Sequence, residues 1–224
     1  MRSRSVSETV LSGVVDVPVP PARLVADWER EIISPHLGLE PGDVEALPLA
    51  RARARWPDYK RCVQAVADWT RMLGLGDLLV SSDVALMACR GARYHHDGAQ
   101  YGAAAFCNLF VSEDKGLDVH FPCTGHRIPL ARGTVLVFDT CQPHAVIRRG
   151  GSGFHADDFG AGQDLSQLFL TWELPIADAR VARALQVAFD VDPSACAQAI
   201  DEQVWVNGHP ASVCAESGQW RRLG

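Results

Sequence analysis

The second part of this chain is cut into short apolar runs. They are DLLV (77–80), VALMAC (84–89), AAAFCNLFV (103–111), LDVHF (117–121), RIPL (127–130), TVLVFD (134–139), HAVI (144–147) and LSQLFLTWEL (165–174). Turn-forming pieces such as RGAR, SEDKG, ARG and DTCQP lie between them. Segments this short, with breakers at such frequent intervals, cannot supply the long amphipathic stripes of a helix bundle. They read as the strands of a β barrel or sandwich.

The chain ahead of these runs has a different period. In PPARLVADWEREII (20–33), prolines open the segment, and Leu24, Val25, Trp28 and Ile32 recur at helical spacing. In PDYKRCVQAVADWTRMLGLG (57–76), Asp58 stands where a cap belongs, Cys62, Val66, Trp69 and Leu73 line one face, and Gly74 offers a stop. The basic run RARARW (51–56) reads as a solvated face. Beyond the strands, ADARVARALQVAF (177–189) reads as a helix, and Asn207-Gly208 as a hairpin turn. The expected class is mainly β with flanking helices, in one domain over 1–224. Residues 1–76 are its mainly helical part, 77–175 its β core, and 176–224 its closing helix and hairpin.

Composition narrows the function classes. Apolar residues make up 47% of the 224, enough to bury a core. The net charge of -6 lacks the basic footprint of a nucleic-acid binder. Seven cysteines, an odd number with no C-x-x-C pair, argue against a zinc ribbon and against a disulfide framework, and suit a reducing compartment. Asp16 and two prolines interrupt the N-terminal apolar stretch, so it makes a poor signal peptide, and no run reaches the roughly eighteen apolar residues of a membrane span. The expected location is cytoplasmic, with no membrane partner. Oligomeric state leaves no mark in the sequence.

The chemistry-bearing stretch is ARYHHDGAQYG (92–102). Positions i and i+2 of a strand face the same way, so His95 and Asp97 can share a target while His96 points elsewhere. Two histidines and a carboxylate on one face of an ion leave positions open for reaction. The third member is His144, which begins HAVI after enough short strands to bring the chain back to the same mouth. A second H-x-D, His155-Ala156-Asp157, has His209 beyond it, but it sits in the glycine-rich GGSGFHADDFGAG, which offers no rigid platform. Residues 150–163 read instead as a mobile loop and a candidate lid.

Taken in order, ACRGARYHHDG, AAFCNLFVSED with GLDVHF, IPLARGTVLVFDTCQPHAVI and LFLTWEL resemble the iron(II)- and 2-oxoglutarate-dependent oxygenases over residues 84–174. The resemblance implies a double-stranded β-helix (jelly-roll) core with His95, Asp97 and His144 as iron ligands. It also implies a dioxygenase reaction, most often a hydroxylation, in which molecular oxygen and 2-oxoglutarate are consumed and succinate and carbon dioxide released. Its substrate would be a small molecule or an amino-acid or protein side chain.

The sequence departs from that family at one point. The family usually anchors the far carboxylate of 2-oxoglutarate with a basic residue, often on the last core strand. That strand, DLSQLFLTWEL, has none. If HAVIR is a regular strand, Arg148 faces inward with His144 and becomes the expected anchor, with Arg127 and Arg93 as fallbacks and Arg149 facing away. Asn108, Thr171 and Ser166 are further candidate contacts. Asp139 is expected to orient a ligand histidine or to shape a turn, and His120 and His126 to be structural or surface groups. Two rivals keep the β core: a cupin-like metalloenzyme without a 2-oxo acid, and a non-catalytic jelly-roll binding module.

Overall fold

The computed structural model describes residues 3–34, 36–160, 162–192, 196–200 and 202–223. The chain opens with β1 (Arg4–Ser5), β2 (Val10–Val14), α1 (Ala22–Ile32), β3 (Val44–Leu47), α2 (Leu49–Arg55) and α3 (Tyr59–Met72). Eight strands then follow: β4 (Val84–Cys89), β5 (Ala92–His95), β6 (Ala104–Phe110), β7 (Leu117–Phe121), β8 (His126–Pro129), β9 (Thr134–Asp139), β10 (His144–Arg148) and β11 (Gln167–Pro175). The short α4 (Gly98–Tyr101) lies between β5 and β6. The chain closes with α5 (Ala179–Ala184), β12 (Gln198–Ile200), β13 (Gln203–Val206), β14 (His209–Val213) and β15 (Trp220–Arg222).

The eight strands divide between two antiparallel sheets. One runs β9-β6-β11-β4, extended by β2 at one edge and β3 at the other; the second runs β5-β10-β7-β8. Strands traded between two facing sheets in this order form a double-stranded β-helix, the jelly roll. The central strands β9 and β6 of the larger sheet are buried on both faces. On β9, Val135 and Val137 pack toward the helices, while Leu136 and Phe138 pack between the sheets. That is why TVLVFD is apolar throughout rather than alternating. On β6, Ala105, Cys107 and Leu109 take the helix side.

The helices cover that outer face because their apolar spacing matches it. Leu24, Trp28 and Ile32 of α1 and Tyr59, Cys62, Val66 and Trp69 of α3 are buried. Trp28 meets Trp56 edge-on at 5.4 Å. Full burial of a large apolar side chain contributes about 1.5–3 kcal/mol, so this layer carries much of the stability. Asp58 stands at the N-cap of α3, but its carboxylate pairs with Arg61 instead of capping. The basic run lies on α2, where Arg55 pairs with Asp27 and Arg51 with Glu31.

Several expectations are corrected. DLLV is not a strand but part of a single 3-10 turn, Gly76–Leu79. Its buried residues, with Leu75 before it, are Leu75, Leu78 and Leu79, a spacing of three and four rather than two. The helix expected over 177–189 ends at Ala184. Gln186 adopts φ 56, a left-handed conformation that stops it, and the chain turns to meet the N-terminal segment through Ser5 N to Ala188 O. Besides α1, α2 and α3, residues 1–76 carry three strands: β2 pairs with β9, β3 with β4, and β1 with β12 in a five-stranded C-terminal sheet. The 150–163 segment is not a free loop over its described residues. Phe154 and Phe159 are buried and stack at 5.5 Å, and Arg90 donates to the carbonyls of Phe159 and Gly160. Position 161 lies outside the described residues. The Asn207-Gly208 hairpin forms with φ of 52 and 74, as a two-residue turn of that type requires. Among the described residues no helix is long and apolar enough to cross a membrane, and all seven cysteines are free.

Candidate metal centre

Two adjacent strand ends build the site. The last residue of β5, His95, stands directly opposite the first of β10, His144. Asp97 lies two residues beyond His95, where the chain leaves the strand for α4. His95 Nε2 is 3.6 Å from Asp97 Oδ1, and His144 Nε2 is 3.5 Å from Asp97 Oδ2. The imidazole centroids are 4.4 Å apart. One donor atom from each of the three residues falls within 4.8 Å of the others, and among the described residues this is the group of His, Cys, Asp or Glu side chains so placed.

The backbone sets the orientation of both rings. His95 Nδ1 lies 2.6 Å from the Arg93 carbonyl and His144 Nδ1 lies 2.9 Å from the Gln142 carbonyl. A carbonyl only accepts, so each Nδ1 carries the proton and donates it. The Nε2 lone pairs are thereby left facing Asp97. Burial pushes the His144 pKa down to about 3, with His95 adding to the effect, which keeps that ring neutral and its lone pair available. Burial raises the Asp97 pKa, while His95 and His96 pull it back down. A half-buried carboxylate facing two imidazole nitrogens gains from a cation, so the residues present suit a divalent metal.

The turns that bear the ligands are held from outside. The Asp97 amide donates to the Thr140 carbonyl at 2.8 Å. The Thr140 hydroxyl lies 2.7 Å from the Tyr101 carbonyl and 2.8 Å from that of Ala104. Asp139 does not touch His144. Its carboxylate accepts from Arg4 at 2.6 and 2.9 Å, and from the amides of Ser7 and Cys141 at 2.9 Å each. It therefore shapes the turn before His144 rather than orienting the ring. Arg4 also donates to the Gly102 carbonyl, at 2.8 and 3.2 Å, and so ties the segment after Asp97 to the one before His144.

His96 takes no part. Its Nδ1 accepts the Gly98 amide proton at 3.0 Å and its ring leans toward Trp220 at 5.7 Å. His96→Ala is accordingly expected to bind metal at full stoichiometry, with affinity changed by less than about tenfold, the low end of what indirect contacts to a metal site are worth. Elemental analysis and calorimetric titration check this, and loss of the metal would mean that His96 is the true ligand.

Behind the cluster, between the sheets, lies a cavity of about 260 Å³. Met87, Phe106, Phe110, Phe138 and Phe169 form its apolar walls, and Asn108, Thr171, Gln100, Tyr101 and Glu173 supply polar groups. None of the lining residues is Lys or Arg. Arg148 shares a strand face with His144 and Val146, but it is the last residue of β10, roughly 13 Å along the strand from His144 at about 3.3 Å per residue, and is not part of the wall. Arg127 donates to the Gly151 carbonyl, Arg93 lies over the Phe154 ring, and Arg149 pairs with Asp114 and Asp118. Ser166 also lies outside the cavity.

Asn108 and Thr171 do line it, opposite each other on β6 and β11. His155, Asp157 and His209 are each exposed and are not gathered into a cluster. His120 bonds the Tyr94 hydroxyl at 2.7 Å, and His126 is exposed. Glu173 escaped the sequence reading, although alternation from Thr171 along β11 would have pointed to it. Gln100 and Tyr101, on the single turn of α4, and the distant Arg4 left no periodic signal.

No family model matches the chain, and no curated protein matches it. Solved structures resemble it faintly. A Pseudomonas putida prolyl-4-hydroxylase is 15% identical, over 74% of this chain and 92% of that one, with a TM-score of 0.38. The epimerase SnoN, in complex with Fe3+, alpha ketoglutarate and nogalamycin RO, is 12% identical over 74% and 78%, at 0.40. EvdO2 from Micromonospora carbonacea var. aurantiaca is 14% identical over 78% and 91%, at 0.42. Likenesses of this order carry no argument about function.

Proposed function

We propose that this chain is an iron(II)- and 2-oxoglutarate-dependent oxygenase that hydroxylates a small molecule or an amino-acid side chain. The observation that supports it most is the convergence of two imidazole nitrogens and one carboxylate in a double-stranded β-helix, beside a cavity. Three protein donors on one side leave the other side of an ion open, and a nitrogen and oxygen set with no thiolate suits iron(II) better than a closed structural zinc site. When bound, iron(II) would let molecular oxygen act as the oxidant, with 2-oxoglutarate giving up two electrons and leaving as succinate and carbon dioxide while a substrate C–H bond is hydroxylated.

The remaining work falls to the chain. His95, Asp97 and His144 would hold the ion, and the carbonyls of Arg93 and Gln142 fix the imidazoles that would face it. Phe138 packs on His144 at 4.8 Å and limits its rotation. The phenylalanine side chains give the space left for substrate its apolar walls.

Anaerobic titration with iron(II) and then 2-oxoglutarate, followed by a substrate screen for succinate release, tests this reading. One iron per chain, saturable 2-oxoglutarate binding and substrate-stimulated succinate are expected. Iron without any 2-oxo acid binding would overturn it in favour of a cupin-like metalloenzyme, a reading that the absence of a cation from the cavity lining favours. No specific metal binding would leave a jelly-roll binding module.

A further inference from the structure

The lining of the cavity includes Asp97 and Glu173 but, among the described residues, no lysine or arginine. The far carboxylate of a dicarboxylate entering this space would leave water without gaining an ionic partner. What the cavity offers instead is neutral. Asn108 is only 7% exposed and pairs across the sheet with Thr171. The Asn108 Oδ1 and Thr171 Oγ1 atoms are both buried with no hydrogen-bond partner. Buried polar atoms are satisfied in the great majority of cases, so two orphans side by side on the wall of one cavity call for a ligand group. An amide turned one way accepts and turned the other way donates, and a hydroxyl does both. The pair therefore matches any uncharged hydrogen-bonding group, whereas a basic side chain would select a carboxylate.

We infer that Asn108 and Thr171 form a neutral anchor for the far end of the 2-oxo acid, so that the site takes 2-oxo acids with uncharged polar tails at least as readily as 2-oxoglutarate. The inference rests on the oxygenase reading and concerns which co-substrates that site admits. It makes Asn108 and Thr171 binding residues and gives Arg148 no part in binding.

The test is calorimetric titration of the iron(II)-loaded protein, without oxygen, with 2-oxoglutarate and with 2,5-dioxohexanoate, in which a methyl ketone of similar size replaces the far carboxylate. The ketone is expected to bind as tightly as 2-oxoglutarate or more tightly, because no ionic pair favours the dicarboxylate and its far carboxylate loses water on entry. Asn108→Ala and Thr171→Val are each expected to weaken the ketone by about fivefold or more, as loss of one buried hydrogen bond implies, at unchanged iron stoichiometry. Arg148→Ala is expected to change neither ligand. A preference for 2-oxoglutarate above about thirtyfold, the least a desolvated ion pair commonly confers, would overturn the inference, as would equal binding that survives both the Asn108 and Thr171 substitutions. Iron binding with no affinity for either compound would overturn the oxygenase reading itself, and the inference with it.

Discussion

Alanine at His95, Asp97 or His144 is expected to weaken iron(II) binding by at least about a hundredfold, more than is lost when a mere supporting contact to a metal ligand is removed. Each change deletes one of three donors and leaves two, which hold a divalent ion no better than many exposed surface groups. His155→Ala and His209→Ala serve as controls, because both residues are exposed and neither belongs to the cluster. The folded protein provides a second readout. At a free metal concentration a hundred times Kd, binding adds about 2.7 kcal/mol of stability, which the three variants are expected to forfeit. Without metal, Asp97→Ala is expected to melt no lower than the parent. Its carboxylate is half-buried and raised in pKa by burial, so its removal relieves a desolvated charge rather than breaking a needed contact. Full iron occupancy in the His144 variant would remove the cluster from consideration as a metal centre.

Arg4→Ala is expected to cost about 3–5 kcal/mol of folding stability, measured by urea denaturation, because it strands a buried carboxylate. Asp139 has 0% exposure and Arg4 only 4%, and the guanidinium grips both carboxylate oxygens. The double variant Arg4→Ala with Asp139→Asn is expected to recover part of the loss, because the uncompensated charge is then absent. Metal affinity is expected to fall as well, because Arg4 binds the Gly102 carbonyl on one ligand-bearing segment and Asp139 on the other. A full-strength metal site in an Arg4 variant of normal stability would show that the clamp is dispensable.

The strands were legible where packing follows a local rule. VALMAC, LDVHF and TVLVFD coincide with β4, β7 and β9 end to end. An apolar run bounded by turn residues has few other ways to bury itself. The spacing of His95 and Asp97 on and just past a strand was legible for the same reason: alternation depends on the backbone alone. DLLV misled because four apolar residues carry no period, and the burial of Leu75, Leu78 and Leu79 shows that the turn is helical. The helix after β11 broke early because Ser7 takes up the Leu185 carbonyl and β1 the segment beyond, and both partners lie at the far end of the sequence.

By itself, then, the sequence determined the order of strands and the side-chain types on each face, because both follow from periodicity within a few residues. The tertiary structure alone decided what those side chains meet. It placed His144 opposite His95 across a strand pair. It buried Arg4 against an aspartate 135 positions away. Among the described residues it placed no arginine in the cavity lining, and it left Asn108 Oδ1 and Thr171 Oγ1 on facing strands there without partners. These are long-range contacts, set by how two sheets close on one another, and no local pattern along the chain encodes them.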